Sequence, residues 1–315
     1  MLDPGSTAFL FPGQGSQAVG MGRELAEASD KAREIFAEAD ELLGFKLSEL
    51  CWNGPEDTLN ETYNTQPALF TCSIAALRFV EELVGDYTPA YAAGHSLGEI
   101  TALVAAQALE FEDGLELVRE RGRLMKLANQ RQPGGMAAVL GLDTPQLEKI
   151  CAAASSGEDN VVQVANDNCP GQVVISGHET ALETAMATAK ETGARRVVRL
   201  PISIAAHSPL MVSVADEYQQ AVDKLPFVVP VSTVIANATV TPLMDSNQIR
   251  SELHGQLTRP VRWTETIQYL RKQGISNFVE VGPGDILNGL VKRIDRSANR
   301  FSAGTPEAIQ ALRDL

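Results

Sequence analysis

The sequence has little of what would make it a disulfide scaffold, a zinc protein or a nucleic-acid binder. Its four cysteines, Cys51, Cys72, Cys151 and Cys169, include no CxxC pair in a chain of 315 residues. That spacing predicts neither a disulfide framework nor a metal site, and reduced thiols in a cytoplasmic setting are the simpler expectation. Positive charge is also short: 26 Lys and Arg against 40 Asp and Glu give a net charge of −14. This argues against nucleic acid as a general partner, because phosphate binding needs a basic footprint. No stretch approaches the roughly 18 apolar residues of a membrane span, so no membrane partner is expected. The most apolar run, residues 100–109, is shorter and reads as buried helix. The first residues show no basic segment ahead of a long apolar run, so no secretory signal is expected. There is no internal repeat. Histidine is scarce, with only His95, His178, His207 and His254 in the chain.

What is present alternates between strand and helix signals, which predicts an α/β fold with a mainly parallel sheet. Residues 7–11 (TAFLF) form an apolar run that stops at Pro12-Gly13 and read as a buried strand. Helical patterning follows over 17–43 and 66–83, the second with Pro67 in its first turn. A small-residue strand is expected at 90–93, then a nearly all-apolar helix at 97–109. Residues 136–202 carry their own order: strand 136–140, helix 144–154, strands 161–165 and 172–176, helix 180–192, strand 196–200. That β-α-β-β-α-β sequence predicts a ferredoxin-like small subdomain over 132–203. It would be inserted in a discontinuous large domain made of 1–131 and 204–315. Beyond it, a helix from Pro209, a strand at 232–236, a helix at 263–272, a strand at 278–281 and a helix at 286–294 are expected. The last twenty residues read as a loosely attached tail with one short helix.

Four features carry chemistry. Gly94-His95-Ser96-Leu97-Gly98 is a GxSxG between a strand and a helix, the pattern of a sharp turn that exposes a strained serine. The helix N-terminus would aim backbone N–H groups at an oxyanion there. A serine nucleophile needs a base. His95 is its neighbour and points away, while His178 and His254 lie in polar, solvated stretches. His207 precedes Ser208-Pro209, an N-cap and first-turn proline, and is the best placed of the four. On a helix over 116–128, 100° steps put Leu117, Val118, Leu124, Met125 and Ala128 on one arc. Arg121 falls in the middle of that arc, whereas every other charge falls opposite. A buried guanidinium needs an anion, either a core carboxylate or a substrate carboxylate gripped bidentately. Finally, Gly13-Gln14-Gly15-Ser16-Gln17 follows the first strand. It can lend an N–H to an oxyanion, cradle a phosphate or form a plain turn.

Several segments in this order resemble the malonyl-CoA:acyl-carrier-protein transacylase family, which includes the acyltransferase domains of fatty-acid and polyketide synthases. They are Phe11-Pro-Gly-Gln-Gly-Ser-Gln17, Gly94-His-Ser-Leu-Gly-Glu99, Arg121-Gly-Arg-Leu-Met125, Asn166-Asp-Asn-Cys-Pro-Gly-Gln172, Ala206-His-Ser-Pro-Leu-Met211, Gln256-Leu-Thr-Arg-Pro-Val261 and Val281-Gly-Pro-Gly284. The resemblance implies an α/β-hydrolase-like core with a ferredoxin-like insert. It implies that Ser96 is acylated and that His207 is its base. It gives the oxyanion the backbone N–H groups of Gln14 and Leu97, and the malonyl carboxylate Arg121. It has the Gln256 backbone carbonyl orient His207. Malonyl-CoA and an acyl carrier protein would be the partners, with no bound cofactor or metal. Ile204-Ala205-Ala206 departs from the aromatic residue that synthase-embedded malonyl domains tend to carry there, so extender choice would rest on Arg121. Two other readings compete. A serine thioesterase or hydrolase shares the elbow and base, but gives a buried Arg121 nothing to pair with. A non-catalytic docking module would have no use for Ser96 and His207. With a net charge of −14, docking an acidic carrier also requires clustered cations. Arg195, Arg196 and Arg199, or Lys292, Arg293 and Arg296, are the candidates.

Overall fold

The apolar run Thr7–Phe11 is buried along its whole length, as a strand covered on both faces of a parallel sheet must be. The computed structural model describes residues 2–85, 87–202 and 204–314. Among them ten strands occur in chain order: β1 (Thr7–Phe11), β2 (Tyr91–Gly94), β3 (Gly134–Leu140), β4 (Val162–Cys169), β5 (Gln172–His178), β6 (Arg196–Arg199), β7 (Thr233–Ile235), β8 (Pro242–Leu243), β9 (Asn277–Val281) and β10 (Asn299–Ala303). They form a six-stranded sheet, ordered β10-β9-β1-β2-β7-β8, and a four-stranded one, ordered β4-β5-β3-β6. The first is parallel except where β8 pairs with β7. The second is antiparallel throughout. The fold is α/β, with a mostly parallel sheet and a separate antiparallel one.

Side-chain alternation divides the large core. Phe9, Phe11, Ala92, Val234 and Val279 point into one layer, while Ala8, Leu10, Ala93, Ile235 and Phe278 point into the other with Trp263, as the two-residue strand period requires. The antiparallel sheet packs Ala137, Val139, Val173 and Ile175 against Leu147, Ile150, Leu182 and Ala185 of the helices Thr144–Ala154 and Glu179–Glu191. Its strand and helix order is the expected β-α-β-β-α-β. The expected last residue of the insert, Ser203, lies outside the described residues. The antiparallel sheet is tied to the segment that leads into the helix Trp263–Lys272 through β4. Asp167 N donates to the Val261 carbonyl (2.9 Å) and Val261 N to that of Ala165 (2.8 Å). Thr264 Oγ1 donates to Asp167 Oδ1 at 2.7 Å.

Four expectations need correction. Residues 17–43 make two helices, Arg23–Ala28 and Asp30–Leu43. Ser29 breaks them, because its side chain leaves the helix to accept from Ala32 N, a cap that starts the second one. The next long helix is Thr62–Val84 and holds Pro67 in its interior. Proline leaves the carbonyl four residues earlier without its donor, and Arg119 Nη1 supplies one to Tyr63 O at 2.5 Å. From Pro209 the chain first makes a 3₁₀ segment to Val214, then the helix Ala215–Asp223. The C-terminal tail is not loose. Its strand β10 extends the parallel sheet beside β9, and the helix Pro306–Arg313 buries Ile309 and Leu312.

Candidate active site

The carboxyl ends of β1 and β2 and the connection after β7 bring together residues far apart in sequence. His95 N donates to Phe11 O at 3.0 Å, which holds the elbow against the first strand. The elbow is tight. A Cβ at Gly94 would lie 1.8 Å from Gly98 O, and one at Gly98 2.1 Å from Phe11 O. Between these glycines Ser96 adopts φ 54°, a strained conformation for a side chain of this kind. The strain is held in part by Asn237, whose Oδ1 accepts from Ser96 N at 2.7 Å and whose Nδ2 donates to Gly94 O at 2.8 Å.

Ser96 Oγ lies 2.7 Å from His207 Nε2. The other ring nitrogen, Nδ1, faces the carbonyls of Gln256 (2.9 Å) and Arg259 (3.0 Å). Carbonyls only accept, so Nδ1 carries the proton and Nε2 offers its lone pair to the hydroxyl. His207 also has a positive φ of 55°. Gln163 of β4 ties this turn down, donating to His207 O at 2.7 Å and Thr258 O at 3.0 Å. Burial, then the Arg121 charge and His95, push the His207 pKa down to about 3, against the pull of the two carbonyls.

Arg121 is 1 % exposed and reaches the same hydroxyl, with Nη2 3.0 Å from Ser96 Oγ. Its Nε donates to Gln256 Oε1 and its Nη1 to Gln66 Oε1, both at 2.9 Å. No carboxylate pairs with it directly among the described residues. Burial lowers its pKa, with Tyr218 and Glu99 acting in the opposite sense. Gln256 is therefore a hub, since it also donates from Nε2 to Glu99 Oε2 at 2.5 Å and to Ser96 O at 3.2 Å. Glu99 is fully buried, and its Oε1 accepts from Asn237 N at 2.9 Å. Burial and the nearby Glu252 push its pKa well above the usual carboxylate range.

The glycine-rich loop presses on the elbow, for a Cβ at Gly13 would lie 2.4 Å from His95 O. Neither Gln14 N nor Leu97 N donates to an acceptor among the described residues. The remaining histidines are engaged elsewhere. His95 bonds Asn168 Oδ1 at 2.8 Å with its ring against Trp263. His178 accepts from Val161 N, and His254 pairs with Asp223. All six residues expected at the site thus fall in one neighbourhood. Glu99, Asn237, Gln163 and the side chain of Gln256 were not foreseen. Only Glu99 left a signal, as the single charge in an otherwise apolar helical stretch.

A hydroxyl on a strained turn, a neutral imidazole at its side and a buried guanidinium facing it can together accept and release an acyl group that carries a carboxylate. The profile of the acyl transferase domain family matches residues 8–305. The chain belongs to the acyl transferase family. The malonyl CoA-acyl carrier protein transacylase of Bacillus subtilis is 44 % identical over 303 residues, covering 96 % of this chain and 95 % of that one. The solved structure of the Coxiella burnetii protein of the same description is 43 % identical, with a TM-score of 0.95 over 99 % of this chain and 98 % of that one. A malonyl-transacylase solved in complex with its type II polyketide-synthase acyl-carrier protein has 38 % identity. Its TM-score is 0.95, covering 98 % of this chain and 99 % of that one. No helix among the described residues of this acyltransferase is long and apolar enough to cross a membrane.

Proposed function

We propose that this acyltransferase moves a malonyl group from malonyl-CoA to the phosphopantetheine thiol of an acyl carrier protein, through an ester on Ser96. The observation that carries the reading is the buried Arg121 guanidinium, 3.0 Å from Ser96 Oγ and without a carboxylate partner of its own among the described residues. In the first half-reaction Ser96 Oγ attacks the thioester carbonyl while His207 Nε2 takes its proton. The oxyanion would accept from Gln14 N and Leu97 N. The carbon–sulfur bond breaks, and the CoA sulfur leaves as a thiol with the proton held on His207. In the second half the carrier thiol gives its proton to His207 and attacks the ester. The Ser96–acyl bond breaks, and Ser96 Oγ recovers the proton. Every step uses this chain's own residues. The test is product analysis with malonyl-CoA in the presence and absence of holo-acyl carrier protein. Malonyl-carrier must form, and free malonate must stay minor. Rapid malonate release irrespective of carrier would favour a thioesterase instead.

Arg121→Ala is expected to lose malonyl transfer by roughly 10²-fold or more. A charge-assisted pair contributes about 1.5–3 kcal/mol, a lost partner in a dry site costs more, and each decade is about 1.4 kcal/mol. Acetyl transfer should fall little. Lysine at 121 should restore only part of the loss, lacking the bidentate fork. The check is the malonyl-to-acetyl transfer ratio. If it stays constant, Arg121 is a packing residue.

For the carrier, the two expected cation clusters flank one turn. Arg293 reaches the Pro170 carbonyl and Gln172 at the β4–β5 turn. Arg195 N donates to Leu140 O, and the next residue's Gly141 N donates to Gly171 O. Arg199 is excluded as a free cation, because both its Nη atoms engage Glu179. Reversing charge at Arg195, Arg196 and Lys292 together should raise KM for the carrier about tenfold and leave KM for malonyl-CoA unchanged. An unchanged carrier KM would remove this surface from the reading.

A further inference from the structure

Glu99 sits beneath the elbow, three residues after Ser96, with no role in the chemistry just described. It is 0 % exposed, and both its oxygens are occupied by donors: Asn237 N on Oε1 (2.9 Å) and Gln256 Nε2 on Oε2 (2.5 Å). The orientation of the Gln256 amide follows from its surroundings. Arg121 Nε–H can only donate, so the atom facing it at 2.9 Å is the amide oxygen. The NH₂ group must then face Glu99, and because both carboxyl oxygens face only donors the geometry fits the ionised carboxylate, in spite of the burial that raises its pKa. Each of these two partners leads on to the reacting groups. Asn237 holds Ser96 N and Gly94 O through its side chain. Gln256 holds Arg121 through its side chain and His207 Nδ1 through its backbone carbonyl.

We propose that Glu99 is a positioning residue whose two carboxyl oxygens lock Asn237 and Gln256, and that through the Gln256 amide it fixes the aim of Arg121 and hence the preference for a carboxylate-bearing acyl group. This rests on the malonyl-transfer reading and adds to it the source of the order in its clamp. A guanidinium on a long side chain has many rotamers. A donor–acceptor chain from carboxyl to amide to Nε–H narrows them, alongside the Gln66 oxygen that holds Nη1, and such preorganisation is what lets a clamp distinguish substrates.

Glu99→Gln separates the two arms. A carbonyl oxygen remains for the Asn237 N–H, which the backbone cannot turn away. The new NH₂ group then faces the NH₂ of Gln256. That donor–donor conflict is relieved by rotating the Gln256 amide, which presents its NH₂ to Arg121 Nε–H and costs the guanidinium its Nε anchor, leaving its bonds to Gln66 and Ser96. The experiment measures malonyl and acetyl transfer for wild type, Glu99→Gln, Arg121→Ala and the double variant, alongside thermal unfolding. The malonyl-to-acetyl ratio should fall roughly tenfold or more in Glu99→Gln, the scale of one charge-assisted hydrogen bond. The loss should appear more in KM for malonyl-CoA than in acetyl turnover. In the Arg121→Ala background, Glu99→Gln should leave the ratio where Arg121→Ala put it. An unaltered ratio in a folded Glu99→Gln protein overturns the proposal, and so does an equal fall in both backgrounds, which would mean an action that bypasses Arg121. Should Glu99→Gln fail to fold, Gln256→Ala cuts the same chain from its other end and must lower the ratio in the same way; if it does not, the proposal fails. A wild-type protein that transfers no malonyl group would instead count against the functional reading.

Discussion

Ser96→Ala is expected to end covalent labelling by malonyl-CoA and to lower malonyl transfer by about 10⁴-fold or more, the scale seen when the nucleophile of a unit that acts together is removed. The argument is geometric. Among the described residues Ser96 Oγ is the only hydroxyl that meets both His207 Nε2, at 2.7 Å, and Arg121 Nη2, at 3.0 Å. Alanine fits the same strained φ no worse than serine, and the Asn237 bond to the backbone N–H remains. The variant should therefore unfold at the wild-type temperature, so that lost activity reports lost chemistry. The measurement is intact mass after mixing with malonyl-CoA, followed by peptide mapping. A malonyl adduct that survives in Ser96→Ala would falsify the nucleophile assignment. Loss of labelling together with a collapsed melting temperature would point to a structural serine.

How much of this was legible in the sequence depends on the reach of each interaction. The elbow is local, so its glycines and serine could be read from five residues. Arg121 was legible because a helix places residues by angle, and a lone charge on an apolar arc stands out before any partner is known. Glu99 gave the same kind of signal in the helix Gly98–Ala105. What it does was not legible, because its partners lie 138 and 157 positions away. Asn237 meets Ser96 across 141 positions, in a stretch with no pattern to mark it. The fold divides in the same way. The alternation of the small sheet and its two helices is periodic and local. Strand β10, by contrast, is an edge strand whose residues are mostly half-exposed, so no apolar run announces it, and its place beside β9 is set by tertiary pairing. Pro67 misled for a related reason. Proline normally sits in a first turn, and the donor that lets it sit deeper, Arg119, comes from another helix.

His207→Ala should slow malonylation of Ser96 by roughly 10²- to 10⁴-fold, the usual range for a positioned base. His95→Ala, His178→Ala and His254→Ala should not reproduce that loss in folded protein. The base is held by two neutral carbonyls where a triad would use a carboxylate; their pull raises its pKa too little to offset burial, Arg121 and His95, which bring it down to about 3. The sign of the pH effects follows. In the folded protein His207 is neutral, and able to accept a proton, at every pH above about 4. The acid limb of the malonylation rate should therefore not appear near pH 6.5. Stability moves the other way. Between pH 6.5 and about 3 the unfolded chain binds a proton at this residue and the folded one does not, so the unfolded state gains as pH falls. The contribution of His207 to stability is complete above pH 6.5 and is lost progressively down to about pH 3. A protein without this imidazole lacks that penalty, so the melting temperature of His207→Ala should decline less steeply than wild type across that interval. Stopped-flow acylation against pH and paired thermal melts from pH 7 to 4 give both readouts. A wild-type acid limb centred near 6.5, with parallel melting curves for the two proteins, would mean that His207 titrates as an ordinary solvated histidine. The lone pair that the mechanism needs at Nε2 would then be absent at mildly acidic pH.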